Sequence, residues 1–369
     1  MKKRGFTLIE LLAVIVVLAI IALIATPIVM NIIKDAKEES NKRSVEMYAK
    51  ALELSIAQYR LVNSSMPIGR YTTTDGKNLI REGETEPTLI VDYNGDVVFN
   101  NIVVFDDAEF YLSECSINGD DVDIEYGRIL NFSTDSWETI VKYKDYGIYQ
   151  VGDTKQIDMG ELGIHTVRIA NMSTPAECNT EGFSQSACGF VVEFADIIAQ
   201  QRFNSWHTSQ RGWEHSQARK YISGFGDCSI QGICAGFEVG MEGYIYNSLP
   251  EDLKQHIVDT TVISGYGDRD SANFTTTDNL YLLSLKEVTG SVNDDTASLY
   301  TRQLDYYANK GVTLTENYSY IVKQRNNSDE SWWLRTPKSD NAFFYVKMDG
   351  VGLTNASVNL GISPAFRIG

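Results

Sequence analysis

Residues 1–30, MKKRGFTLIELLAVIVVLAIIALIATPIVM, constrain the fold more than any other stretch of the chain. Lys2, Lys3 and Arg4 form a basic head, and from Phe6 to Met30 only Thr7, Glu10, Thr26 and Pro27 interrupt an apolar run. At about 1.5 Å of rise per residue, a helix over this run reaches across a bilayer core of roughly 30 Å. A secretory signal peptide has a shorter apolar core followed by a small-residue cleavage site. Here the run passes Met30 directly into a polar helical pattern. Glu10 does not suit a plain anchor either. A carboxylate inside a spanning helix costs on the order of 2.5–3.5 kcal/mol, so its default reading is functional.

The motif G-F-T-L-I-E followed by the apolar run resembles the processing site of type IV prepilins and pseudopilins. The resemblance implies a prepilin peptidase/N-methyltransferase that cuts between Gly5 and Phe6, removes leader 1–5 and methylates Phe6. It also implies that Glu10 is the family's assembly glutamate and Pro27 its helix-bending proline. Other pilin subunits are then the partners of the helix over 6–30, and the cytoplasmic membrane holds it, N-terminus inside, before assembly. Physical chemistry agrees with this reading. A buried carboxylate is tolerated when paired, and the amine of a neighbouring subunit's Phe6 is the natural counter-charge for Glu10. Pro27 lacks an N–H, so a bend or local melting is expected there.

Charge bears on partners and orientation. The net charge is −17, yet residues 1–50 carry eight Lys/Arg against five Asp/Glu, leaving −20 on the rest. Basic residues flank the apolar run at Lys2–Arg4 and Lys34, which places Met1 on the cytoplasmic side. The acidic remainder is expected outside, and it argues against nucleic acid as a ligand, since phosphate binding needs Lys and Arg. Five cysteines stand at 115, 178, 188, 228 and 234. In an exported chain disulfides form readily. Spacing does not decide among the three connectivities of four cysteines. Local bridges Cys178–Cys188 and Cys228–Cys234 are expected, with Cys115 left as a thiol; free buried thiols are the alternative. Neither pair has C-x-x-C spacing with matching histidines, so no metal or other cofactor is expected.

Beyond Met30 a helical period continues through Val45, Tyr48, Leu52, Ile56 and Tyr59, with Lys37, Glu38, Glu39, Lys42, Arg43, Glu46, Lys50 and Glu53 on the other face. Asn63-Ser64-Ser65 with Pro67 stops it, giving one helix of roughly 85 Å. Its amphipathic half needs a sheet to cover it. Strands are expected at 88–93 and 97–99, joined as a hairpin by Asn94-Gly95-Asp96, and at 102–105, 109–113 and 122–126. The domains read as leader 1–5, membrane or filament-core helix 6–30, pilin helix and sheet 31–146, and a surface domain 147–369.

The second half shows only short helix candidates, at 190–202, 216–223 and 249–257. Strand-like runs occur at 167–170, 191–194, 280–285, 343–348 and 365–368. Its ordered signposts are Y-Q-V-G-D (149–153), R-G-W-E-H-S-Q-A-R-K-Y-I (211–222), S-L-P-E-D-L (248–253), T-T-D-N-L-Y-L-L-S (276–284), W-W-L-R-T-P (332–337) and G-I-S-P-A-F-R-I (361–368). They resemble a bacterial surface domain without assigned activity. The ending is also similar to formylglycine-generating enzymes and C-type-lectin-like domains, which implies a mixed α+β, loop-rich fold. The expected class of the whole is therefore α+β, with a long pilin helix on an antiparallel sheet followed by that domain. No cysteine follows Cys234, so formylglycine-generating chemistry is excluded.

His207, Glu214 and His215 lie close in sequence but match no metal-ligand spacing and read as structural or surface groups. Asp268, Asp270 and Asn273 suggest a calcium loop, but Ala272 breaks the EF-hand pattern and no E-P-N or Q-P-D tripeptide occurs. Of the adjacent Trp332 and Trp333, at least one is expected in the core. No nucleophile elbow or phosphate loop is present, so a catalyst is not expected. The ligand surface is expected on the 203–215 loop, at Trp206, His207, Arg211 and Glu214. Trp206 is expected outside and Trp213 in the core. The resulting function is a minor or tip pilin subunit displaying an adhesin-like domain toward a host-cell, glycan or surface ligand. The alternatives are a pseudopilin of a secretion or DNA-uptake system and an anchored enzyme.

Overall fold

A computed structural model describes residues 8–63, 66–93, 99–106, 109–117, 120–122, 126–127, 130–267, 270–292, 295–339 and 341–369. The chain forms two compact units, Met1–Ile129 with Tyr146–Ile148, and Leu130–Asp145 with Tyr149–Gly369.

In the first unit, helix α1 runs from Leu8 to Val62. It stays helical through Pro27, so the local melting expected there does not occur. One missing N–H removes a single rung from a ladder that long flanking turns maintain. From Val45 onward, Val45, Tyr48, Ala49, Leu52 and Ile56 are buried at three- and four-residue steps, while the charged face stays exposed. The stripe packs on antiparallel strands β1 (Gly69–Thr73), β2 (Asn78–Arg81), β3 (Pro87–Ile90), β4 (Phe99–Asp106), β5 (Glu109–Ile117) and β6 (Asp120–Val122), ordered 3-2-1-4-5-6. A short β7 (Tyr126–Gly127) also pairs with β5. Tyr71, Leu79, Leu89, Leu112, Ile117 and Val122 complete the core with the helix stripe. Each such side chain contributes roughly 1.5–3 kcal/mol on burial. The Tyr48 and Tyr93 rings meet edge-on at 5.3 Å, and the Asp92 N–H donates to Ser55 Oγ at 3.2 Å.

The expected hairpin across 94–96 is overturned. Residues 94–96 lie outside the described residues, but the strands on either side do not pair: β3 pairs with β2, and β4 lies between β1 and β5. The tight hairpin is instead β1–β2, around Asp75-Gly76. Asp75 Oδ1 accepts the Lys77 and Asn78 N–H groups, both at 2.8 Å, and Gly76 takes the positive φ of 72° that glycine adopts without steric cost. The runs at 97–99 and 102–105 belong to the single strand β4, and the expected strand at 122–126 is represented by the ends of β6 and β7.

The second unit begins with α2 (Trp137–Tyr143), capped by Ser136, whose Oγ accepts the Thr139 N–H. Strands β8 (Thr154–Asp158), β9 (Ile164–Asn171), β10 (Val191–Phe194) and β11 (Ala199–Arg202) follow. The helix alternative for 190–202 is thereby corrected. Val191–Phe194 is covered on both faces, which suits a central strand rich in β-branched and aromatic residues. Next come α3 (Gln217–Ser223), α4 (Tyr244–Asn247), α5 (Glu251–Lys254), β12 (Ile257–Val258), β13 (Thr260–Ser264) and β14 (Phe274–Asp278). The helix read at 249–257 shrinks to α5 because the chain turns into β12 directly after it. The strand read at 280–285 is corrected too: a lone bridge from Tyr281 to Ala365 holds it. Ser284 then opens α6 (Leu285–Thr289) with a capping box to Glu287.

The unit closes with α7 (Asp305–Asn309), β15 (Lys323–Arg325), β16 (Ser328–Glu330), β17 (Trp332–Pro337), β18 (Ala342–Lys347), β19 (Gly350–Asn355), β20 (Asn359–Ile362) and β21 (Ala365–Ile368). Two five-stranded sheets result, ordered 12-21-10-9-8 and 11-20-17-18-19, beside the hairpins β13–β14 and β15–β16. The pairing is antiparallel except at β17–β20. The molecule is α+β, with a mixed, loop-rich second unit. Trp332 and Trp333 are both buried; their indole N–H groups donate to the Ile321 and Gln201 carbonyls at 3.0 and 2.9 Å.

Candidate functional site

Most of the ordered signposts turn out to close the second unit's core. Asp278 is fully buried and accepts Trp213 Nε1 at 3.1 Å, Arg219 Nε at 2.6 Å and Thr276 Oγ1 at 2.6 Å. Arg335 of W-W-L-R-T-P makes a two-pronged bond to Glu287, both side chains fully buried, and Ser186 donates to the same carboxylate. Lys323 donates to Glu193 at 2.8 Å, to the Phe194 carbonyl at 2.7 Å and to Ser363 at 3.0 Å. Burial alone pushes the Glu193 carboxyl up, but the Lys323 and Arg168 cations outweigh it and hold it at about 2. The capping-box spacing of Ser284 and Glu287 was readable in the sequence, but their distant partners were not. Arg335 Nε apart, which is buried without a partner, these groups are satisfied by one another and fix the loops rather than face a ligand.

The assembly segment has the opposite character. From Leu8 to Ile33 every described large apolar side chain is at least half exposed. Glu10 and Pro27 lie on α1 but their side chains are outside what the structure describes, and Gly5 and Phe6 are outside the described residues. No helix among the described residues is long and apolar enough to cross a membrane. Phe6, Thr7 and the side chains of Ile9, Glu10, Ile24, Pro27 and Ile28, all within the span expected over 6–30, lie outside what the structure describes.

On the 203–215 loop, Trp206 is 52% exposed and Trp213 is fully buried. The Trp206 ring lies flat on Gly232, where an added Cβ would come within 2.4 Å of it, and the Trp206 N–H donates to the Gly232 carbonyl at 2.9 Å. Gly232 sits inside the Cys228–Cys234 loop, whose bridged Cα atoms are 5.3 Å apart; Cys178 and Cys188 are bridged likewise at 5.9 Å. His207 is exposed. Arg211 and Glu214 pair at 2.5 Å. His215 lies 3.4 Å from both Glu214 and Asp227. The loop therefore does not gather its four candidates at one point. Trp206 is mounted on the disulfide loop, and Arg211 with Glu214 leads through His215 to Asp227, the residue just before that loop. In the region read as a calcium loop, Asp268 is outside the described residues. Asp270 accepts the Arg211 N–H at 2.8 Å while Asn273 Nδ2 donates to the Thr296 carbonyl at 2.9 Å. Among the described residues no three potential metal ligands converge.

Residues 1–26 match the prokaryotic N-terminal methylation motif, and residues 191–369 match a domain of unknown function (DUF6273). Type II secretion system core protein G of Escherichia coli (strain K12) is 34% identical over 93 residues, 25% of this chain and 59% of that protein. The protein of the same name from Dickeya chrysanthemi is 34% identical over 86 residues, 23% of this chain and 51% of that one. The chain thus spans just over half the length of the curated relatives it matches. No solved structure matches. The N-terminus is type IV pilin-like. Its pilin-like helix is the one with an uncovered apolar end, and the family of unknown function covers most of the second unit, including the 203–215 loop.

Proposed function

We propose that the protein is a type IV pilin- or pseudopilin-like subunit that assembles through α1 and presents its second unit as a binding module. One observation carries the reading. The same continuous helix is packed on a sheet over Val45–Ile56 and bears exposed apolar side chains from Leu8 to Ile33. An uncovered apolar surface of this extent needs lipid before assembly and neighbouring helices after it. In this proposal a prepilin peptidase cuts between Gly5 and Phe6, the N-terminus starts on the cytoplasmic side, and Glu10 pairs with a neighbour's Phe6 amine. The bulk of residues 147–369 would crowd a filament if present in every subunit, which favours a minor or tip position at the cell surface.

The second unit's ligand-facing side chains are proposed to be Trp206, His207, Arg211 and Glu214, acting in binding rather than catalysis. An exposed indole and an arginine are the side chains that dominate contact energy at interfaces. The relatives named as secretion-system core proteins favour a second reading, a pseudopilin working in a short envelope-bound assembly.

Fractionation tests assembly. Wild-type protein is expected in the sheared or pelleted filament fraction, and Glu10→Ala is expected to stay in the membrane fraction with an unchanged ectodomain melt. Equal incorporation of Glu10→Ala would refute the assembly role. Antibody labelling along extracellular fibres supports the pilin reading; label confined to the envelope supports the pseudopilin reading.

A further inference from the structure

A second recessed surface lies in the same unit, and Trp206 is not among its lining residues. Residues 265–267 and 270–273, between β13 and β14, meet residues 295–300 and 337–338. Two cavities of about 470 and 570 Å³ open there and share Tyr266 and Thr296 as walls. Each lies within the roughly 300–1,000 Å³ typical of ligand sites. Tight backbone approach builds the groove. At Gly265 an added Cβ would come within 2.7 Å of Thr296 Oγ1, and at Gly267 within 2.5 Å of Ser209 Oγ. The Tyr266 N–H donates to Thr296 Oγ1 at 2.9 Å, and the buried Asp295 accepts the Ala297 N–H and Thr336 Oγ1, both at 3.0 Å. The walls are therefore held by the core rather than formed by a ligand.

Its chemistry narrows the occupant. Asn273 Nδ2 is committed to the Thr296 carbonyl, while Asn273 Oδ1 is buried with no hydrogen-bond partner. Around it stand the hydroxyl residues Ser271, Thr275 and Thr296 and the rings of Tyr266 and Tyr300, the latter 44% exposed. Flat rings beside an acceptor and several hydroxyls suit a hydroxylated ring that offers an apolar face and polar edges. Two carboxylates, Asp270 and Asp295, and one cation, Lys338, line the adjoining cavity and the chain carries −17, so the net charge disfavours an anionic ligand.

We infer that this groove binds a neutral glycan without a metal ion, through Tyr300, Tyr266 and Asn273. The inference extends the binding-module reading but stands apart from Trp206, so the two can fail separately. The test uses the full-length protein in detergent against immobilised neutral oligosaccharides of glucose, galactose and N-acetylglucosamine, their sialylated and sulfated counterparts, and a random peptide panel. Binding to a neutral oligosaccharide is expected to be unaffected by EDTA and weaker for the charged counterpart. It should fall about fivefold to tenfold in Tyr300→Ala and also in Asn273→Leu, by the same factor whether Trp206 is intact or replaced by alanine. Melting curves identify any variant that misfolds, and Tyr300→Ser then replaces Tyr300→Ala. Binding lost on EDTA, binding only to peptides or charged glycans, no binding at all, or binding indifferent to both groove substitutions would overturn the inference. Loss of binding in Trp206→Ala alone would move the glycan to the indole face and refute the groove.

Discussion

Trp206 and Trp213 share one loop and are predicted to behave oppositely. Trp213 is fully buried against Phe203, with ring centroids 6.3 Å apart, and its N–H is bonded to Asp278. Trp213→Ala should destabilise the second unit by about 3–5 kcal/mol, whereas Trp206→Ala should barely move the melt and should weaken ligand binding. Thermal denaturation of both variants checks this; an unstable Trp206→Ala beside a stable Trp213→Ala would reverse the assignment. His165 offers a pH test. Its Nδ1 lies 2.9 Å from Asp196 Oδ2 and its Nε2 lies 2.9 Å from the Leu162 carbonyl, so both nitrogens face acceptors. Burial works against the imidazolium, but the Asp196 carboxylate and the Leu162 carbonyl outweigh it and raise the pKa above 6.5. The stabilisation is therefore fully present below about pH 6.5 and lost as pH rises through the raised folded value. Wild type should exceed His165→Gln in stability at pH 5.5 and lose that margin by pH 9. A margin independent of pH would contradict the ion pair.

At the scale of elements, helix α1 was legible because its apolar spacing holds over many turns and a polar cluster ends it. The order of the first sheet was not. Asn94-Gly95-Asp96 reads locally as a hairpin, yet β1 and β2 lie between β3 and β4 in the sheet, and only packing under the helix decides that. Asp75-Gly76 carried an equally strong local turn signal and is the tight turn that forms. The run at 280–285 reads as a strand because it is apolar, but it is a buried connection that enters a capped helix. Of the candidate loop, the exposure of Trp206 and the burial of Trp213 follow the sequence expectation. The groove residues come from two segments, Tyr266 and Asn273 between β13 and β14 and Thr296 and Tyr300 from residues 295–300, and only packing brings them together. The disulfides belong to this scale as well. Peptide mapping without reduction should recover Cys178 linked to Cys188 and Cys228 linked to Cys234. Cys115 should resist alkylation in native protein, since it is buried on β5 and burial pushes its thiol up to about 12. Four rapidly alkylated thiols in fresh native protein would contradict the pairing.

For the whole molecule, the two ends of α1 define the design. Its C-terminal half is an ordinary amphipathic helix on a sheet, and the half nearer Leu8 is left uncovered by the described residues of its own unit. After that helix the chain carries an acidic remainder and a second unit whose recognisable motifs make core bonds. This arrangement gains its purpose only if the chain is processed as a prepilin. Mass spectrometry of the mature N-terminus from membrane or filament fractions tests that most directly. The account predicts a chain beginning at methylated Phe6; an intact Met1, or a start within residues 25–35, would contradict it.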